Sequence, residues 1–413
     1  MEDYQKLRVI SYDQPTAYLE VGEARRNSIS AVHTGLNIQP FDPKKQILLN
    51  EKFELFFVIL QQTSLLKDKL NDNSRQINQL MNRLPEVGKD NIFYHLLIDE
   101  IQASNDIEGV RSTKKEIREA ISIILEKSTT QKRFKSLVYQ YMNFQKSEFS
   151  EIQQVKDIRE IYDQLLVEEL DDEDRLKEGE LFRTEPVFIV EQTSGKQVHK
   201  GVDGQEHIIE NIERLVSFMN RSDIPSFEKA FVSHFYFENT HPFYDGNGRC
   251  GRFILCSYLA RKLDYLSAVG LSSAILKHKA KYYKAFQEVS HPRNLGEVTF
   301  FVLDMFELVL KAQAMVLKEL QQVDRALLKI SKEIRAKTES SDEHLVLYSL
   351  AQDRFYDNLT QPTDEQIAMI LGVSRQKLKQ ITVKLRNKGL IKQVKQKPSV
   401  HQLSESFWLE IYR

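Results

Sequence analysis

Residues 241–252 read His-Pro-Phe-Tyr-Asp-Gly-Asn-Gly-Arg-Cys-Gly-Arg, and a chain carrying this run has few choices about what it builds there. Gly246-Asn247-Gly248 lets the backbone turn tightly and approach an anion closely. The residues from Arg249 to Ala260 read as a helix, so the turn becomes an anion nest opening onto a helix N-terminus. The side chains answer separate demands of phosphoryl or nucleotidyl transfer. His241 can accept a proton near neutral pH. Asp245 is a hard oxygen ligand of the kind that holds magnesium beside phosphates, because magnesium keeps waters and takes only one or two carboxylates. Arg249 and Arg252, three apart, point to one side of a helix and can grip further phosphates in bidentate fashion. A surface loop with two solvated arginines is the plain alternative, but here each chemical role is filled once within twelve residues.

The run resembles the signature of the Fic family, His-x-Phe-x-Asp/Glu-Gly-Asn-Gly-Arg-x-x-Arg, with every specified position filled. The resemblance implies transfer of AMP from ATP to a Tyr, Ser or Thr hydroxyl of a protein, with release of pyrophosphate. Carried over by position, His241 is the catalytic base and Asp245 holds Mg2+. Gly246, Asn247 and Gly248 form the hole for the α-phosphate, Arg249 and Arg252 take the β- and γ-phosphates, and Cys250 and Gly251 complete the ATP-binding run. The family's phosphotransferase branch has lysine at the second glycine of the turn; this chain keeps Gly248, which favours AMP transfer.

Upstream, Ala103-Ser104-Asn105-Asp106-Ile107-Glu108-Gly109 follows the amphipathic run Ile92–Ile101. Alone it is a helix over residues 92–109 ending at a C′ glycine. Beside the signature it resembles the family's inhibitory motif, Ser/Thr-x-x-x-Glu-Gly/Asn. That resemblance implies that Glu108 pairs with Arg252 within the ATP site and removes the guanidinium that the γ-phosphate needs, with Ser104 anchoring the helix.

Between the two motifs, residues 181–204 combine β-branched and aromatic residues (Val187, Phe188, Ile189, Val190) with a turn signal at Ser194-Gly195, which predicts a hairpin in an otherwise helical chain. By position it resembles the family's flap, whose edge receives the target segment by strand addition, placing Val187 to Val190 over the nucleotide. Further on, Lys281-Tyr282-Tyr283 lies where the family places aromatic contacts to adenine. A tyrosine pair on a helix also serves as core; Tyr282 is the residue chosen for adenine.

The rest of the chain is expected to be mainly α. With 413 residues it has length for two or three domains. Residues 1–45, with Pro15, Pro40 and Pro43, read as an irregular arm, followed by a helix from Leu48 to Leu70 and a polar, asparagine-rich stretch, so that residues 1–90 form an N-terminal arm of the catalytic region. Helical spacing recurs at 114–126, 134–142, 155–170, 208–219 and 226–238, and 296–335 reads as one or two long helices. The acidic cluster Glu168–Asp174 reads as a solvated loop. A catalytic core over 91–335 follows. Net charge is −1 with 28% charged residues, so nothing draws the whole chain toward nucleic acid or membrane. Cys250 and Cys256 have no His or Cys near them in sequence, which argues against a disulfide or a zinc site. The longest apolar run, Phe53–Leu60, reads as buried helix and is too short for a signal or spanning segment; a cytoplasmic setting is expected.

Residues 340–413 change character. Between Thr363 and Arg413 ten Lys or Arg stand against four Asp or Glu. Thr363 begins a capped helix, Gly372 makes a turn, and Ser374 caps a second helix, a pattern that resembles a helix-turn-helix with a wing following Leu390. Ser374, Arg375, Gln376 and Lys379 are then the residues for DNA; the other use of such a domain is protein contact or dimerisation. The overall expectation is a Fic-type helical core with a small β-hairpin flap, followed by a winged helix domain. The functions that compete are an autoinhibited adenylyltransferase acting on a target protein or on itself, a DNA-binding regulator that keeps the Fic site as a nucleotide sensor, and removal of AMP at the same site with Glu108 positioning water. A homodimer is open to any of them.

Overall fold

The computed structural model describes all residues except 1–3, 43–44, 85, 150, 167, 191–194, 196, 357–360 and 413; Pro43 and the expected hairpin-turn residue Ser194 lie outside the described set. The chain is mainly helical and divides into two compact units, Met1–Arg75 with Leu96–Met315, and Gln76–His95 with Val316–Arg413.

The first 60 residues depart from expectation. In place of an irregular arm there are helices α1 (Leu7–Asp13) and α2 (Ala17–Arg26), strand β1 (Ala31–Ile38) and a short ladder of β2 (Phe41–Asp42) with β3 (Ile47–Leu48). Phe53–Leu60 is not a buried helix: β4 (Phe53–Val58) pairs antiparallel with β1. A short apolar run rich in aromatics is a strand as readily as a helix, and tertiary contacts decide. The Phe56 amide donates to the Gly296 carbonyl, and the Val298 amide donates to Phe56. The long helix α3 (Gln61–Arg83) starts only after this strand and absorbs the asparagine-rich stretch, because Leu66, Leu70, Ile77 and Met81 bury a stripe along it.

Then follow α4 (Glu86–Glu108), α5 (Lys114–Leu125), α6 (Lys135–Met142) and α7 (Val155–Leu166), the hairpin β5 (Phe188–Val190) with β6 (Gln197–Lys200), and α8 (Gln205–Met219). Next come α9 (Ser226–Thr240), α10 (Asn247–Lys262), α11 (Tyr265–Ala268), α12 (Leu271–Lys277), α13 (Lys279–Val289) and α14 (Thr299–Ala336). Helix α9 packs against α8 and α10. Phe231, Val232, Phe235 and Tyr236 are each fully buried in α9. A helix buried all round is a core helix, and α9 delivers His241 at its end.

In the second unit, α15 (Ser341–Phe355), α16 (Asp364–Ile370), α17 (Arg375–Asn387), β7 (Ile391–Lys395), β8 (Val400–Leu403) and α18 (Glu405–Tyr412) surround a small core that includes Leu347, Leu350, Ile367, Leu378, Leu385 and Leu403. The Thr363 capping box and the Ser374 cap both form, and β7 pairs antiparallel with β8. Residues 76–95 and 316–335 belong to this unit rather than to the first.

Candidate active site

Helix α9 ends where His241 takes a left-handed conformation (φ 53°), its amide donating to the Phe237 carbonyl at 2.9 Å. Pro242 cannot continue the helix. The chain then loops to Gly246, also left-handed (φ 77°), which opens α10. Asn247 closes this loop on itself. Its Oδ1 accepts from the Phe243 amide at 2.9 Å, and its Nδ2 donates to the Phe243 carbonyl at 2.8 Å. From α7, Tyr162 stacks on Phe243 with centroids 3.6 Å apart, and its hydroxyl donates to the Asp245 carbonyl at 2.9 Å. The loop is therefore rigid, and the first amides of α10 have no carbonyl partner within the helix.

The His241 Nδ1 lies 3.3 Å from the Glu238 carbonyl. A carbonyl only accepts, so Nδ1 carries the proton and the lone pair is on Nε2. Burial, followed by the charges of His199 and Arg183, pushes the imidazole down to about 3, which keeps it in its neutral form at neutral pH.

Arg183 was missed by sequence reasoning. It is fully buried, and its guanidinium donates to the carbonyls of His241, Glu185 and Val202, each at 2.7 Å. One side chain thus ties the start of the hairpin segment to His241 and to the exit of β6. His199 of β6 adds a bond to the Asn239 carbonyl at 2.8 Å. No sequence pattern announces such contacts, because every acceptor is backbone.

The two arginines of the run are claimed separately. Arg249 donates to Asp245 Oδ2 at 2.7 Å and approaches Glu169 Oε2 at 3.5 Å. The Glu169 side chain is only 3% exposed, so the acidic cluster is not a solvated loop throughout: the buried guanidinium draws this carboxylate inward. Arg252, 1% exposed, donates from Nη1 to Glu108 Oε1 at 2.6 Å, from Nη2 to the Ser104 carbonyl at 2.8 Å, and from Nε to Ser104 Oγ at 3.1 Å. Burial opposes the charge on Arg252, but Glu108, Tyr282 and Glu238 together outweigh it and the guanidinium is held more firmly protonated than usual. The last turn of α4 thus docks on α10, with Gly109 (φ 77°) ending the helix.

Glycines make this docking possible. A Cβ at Gly248 would run into the Glu108 carboxylate, and one at Gly251 would run into the carboxylate of Glu238. Glu238 is the second acid near Arg252. Burial and then the charge of Glu108 raise it to about 8, against the pull of Arg252.

Asp245 keeps 47% of its side chain exposed. Its Oδ1 has no hydrogen bond among the described residues, so one carboxylate oxygen remains for a cation, which fits a metal that takes most of its ligands from phosphate and water. In the hairpin, Phe188 and Val190 are exposed at 45% and 48%, the Val187 carbonyl accepts from the Gly201 amide, and among the described residues β5 pairs with β6 alone. Tyr282 is 3% exposed, bonded to His234 Nε2 at 2.7 Å and stacked edge-on against Phe286. Its neighbour Tyr283 is 38% exposed. Both cysteines are free and buried. In the second unit, the Ser374 hydroxyl accepts from the Lys377 amide and Arg375 pairs with Glu365, while Gln376 and Lys379 are exposed.

Residues 152–259 match the Fic/DOC family, and the chain carries a Fic/DOC domain. Among curated relatives, protein adenylyltransferase fic-1 of Caenorhabditis elegans is 30% identical over 102 residues, 24% of this chain and 18% of the relative. A probable protein adenylyltransferase of Aquifex aeolicus is 32% identical over 84 residues, 20% of this chain and 24% of the relative. The matched segment thus spans about a fifth to a quarter of these relatives. A Fic family protein of Desulfovibrio desulfuricans has a similar structure at 16% identity and a TM-score of 0.48, covering 82% of this chain and 96% of the other. No helix among the described residues is long and apolar enough to cross a membrane.

Proposed function

We propose that the chain is an autoinhibited protein adenylyltransferase that moves AMP from ATP to a Tyr, Ser or Thr hydroxyl of a protein target. The reading rests above all on the Arg252–Glu108 pair at 2.6 Å, which joins the phosphate-binding run to a helix that begins far upstream of it. A guanidinium bound to a carboxylate and to Ser104 cannot also grip a triphosphate.

In the active state Glu108 leaves Arg252, and Arg252 and Arg249 hold the β- and γ-phosphates. The α-phosphate rests on the free amides at the start of α10. Asp245 holds magnesium, which neutralises phosphate charge. The hairpin edge at Val187–Val190 takes the target strand and aims its hydroxyl. The His241 Nε2 lone pair accepts the hydroxyl proton as that oxygen forms a bond to the α-phosphorus; the bond to the β-phosphate oxygen breaks and pyrophosphate departs. Supporting this assignment are the neutral, correctly tautomeric His241 and the AMP-transfer names of the curated relatives. Label placement tests it: in the Glu108→Gly chain, ATP labelled on the α-phosphate should mark protein and ATP labelled on the γ-phosphate should not, with marking abolished when His241→Ala is added. Transfer of the γ-label, or full activity in His241→Ala, contradicts it.

For the C-terminal unit we infer DNA binding through α17, supported by the capped helix-turn-helix and its β7–β8 wing. Removal of AMP at the same site would show as loss of the AMP mass from a modified target, and a homodimeric assembly as a doubled mass in solution.

A further inference from the structure

Helix α4 places its key residue where a helix least favours it. Asp106 and Glu108 both lie in the last turn, against the negative end of the helix dipole, and that turn contains no basic residue of its own. Like all C-terminal carbonyls, that of Ile107 lacks a partner within the helix.

The missing donors come from α13. Lys279 Nζ donates to the Ile107 carbonyl at 2.7 Å, and the Tyr283 hydroxyl donates to the same oxygen at 3.3 Å. The ammonium also lies 5.7 Å from the centroid of the Tyr283 ring, so the two donors support each other. The Ile107 carbonyl precedes Glu108 directly, and the clasp therefore sets the register of the residue that occupies Arg252.

We propose that Lys279, assisted by Tyr283, is the positioning residue of the inhibited state: it neutralises the end of α4 and holds Glu108 on Arg252, and loosening it is a route to activation separate from any change in Glu108. This rests on the inhibitory role assigned to Glu108. Lys279 touches neither of the reacting groups, so its loss acts only through α4.

The test is epistasis in the full chain. Lys279→Met keeps the aliphatic stem and removes the donor; it should raise self-adenylylation on the order of tenfold, the value of one charge-assisted hydrogen bond. Tyr283→Phe should raise it less, and Lys279→Arg should stay at the wild-type rate. In the Glu108→Gly background, Lys279→Met should change nothing. In His241→Ala protein, amide hydrogen exchange at residues 107–110 should quicken with Lys279→Met, which reports the clasp without any turnover. The inference is overturned if Lys279→Met leaves the rate and the exchange unchanged, or if it raises the rate equally with and without Glu108. Should Glu108→Gly itself fail to exceed wild type while exchange still quickens in Lys279→Met, the inhibitory reading fails and the structural clasp survives.

Discussion

Among the described residues Arg183 pairs with no carboxylate; it donates to the carbonyls of His241, Glu185 and Val202 at 2.7 Å and to that of Thr240 at 3.5 Å. Replacing it with Met leaves those oxygens buried and unpaired, each at a cost of about 1–3 kcal/mol. Arg183→Met should therefore lower unfolding stability by about 3 kcal/mol or more in denaturant titration. In the Glu108→Gly background it should also cut the adenylylation rate on the order of a hundredfold through misplacement of His241. Stability within 1 kcal/mol of the parent, roughly the scale of a surface substitution, contradicts the role. Arg183 also marks where sequence legibility ends. His241, Asp245 and Arg252 were readable because one contiguous run holds them. The Glu108–Arg252 pair, 144 residues apart, was readable only because each half belongs to a recognisable motif. A guanidinium that bonds only backbone leaves no such trace, and neither does Lys279 on the Ile107 carbonyl.

Among the elements, helices such as α7, α8 and α9 were legible, whereas the stripe that carries α3 through the asparagine-rich stretch to Arg83 was not. β4 was expected as helix because Phe53–Val58 is apolar at every position but one, and such a run has no period to read; the β1 ladder and the contacts at Gly296 and Val298 settle it. Helix α17 was legible from its cap, but its electrostatics were not. Lys377 pairs with Asp342, and Lys384 and Lys388 with Glu339 and Glu343; of the residues expected at DNA, Gln376 and Lys379 are exposed and stand outside these pairs. If α17 binds DNA, affinity should fall linearly in log–log form with salt, and the Lys379→Ala change should reduce that slope by about one. Absence of binding to any duplex at low salt contradicts the DNA assignment.

At the scale of the whole molecule, the first unit stores protons. Burial raises Glu100 to about 7, although it accepts from the Ser272 amide at 2.7 Å, and burial raises Glu238 to about 8. Both ordinarily titrate near 4.5. An acid whose folded value is raised binds more protons when native, so its stabilisation is full below about 4.5 and is lost as pH rises through 7 and 8. The melting temperature should decline between pH 5 and pH 8. Glu100→Gln, which mimics the protonated acid, should flatten that decline; an unchanged slope contradicts the assignment. Arg252, whose contact with Glu108 carries the proposed inhibition, acts on both Glu100 and Glu238. That contact is tested most directly by intact-protein mass spectrometry of wild-type and Glu108→Gly chains incubated with ATP and magnesium. The account predicts an added AMP moiety on Glu108→Gly and little or none on wild type. Equal modification of the two, or none on either, would contradict it.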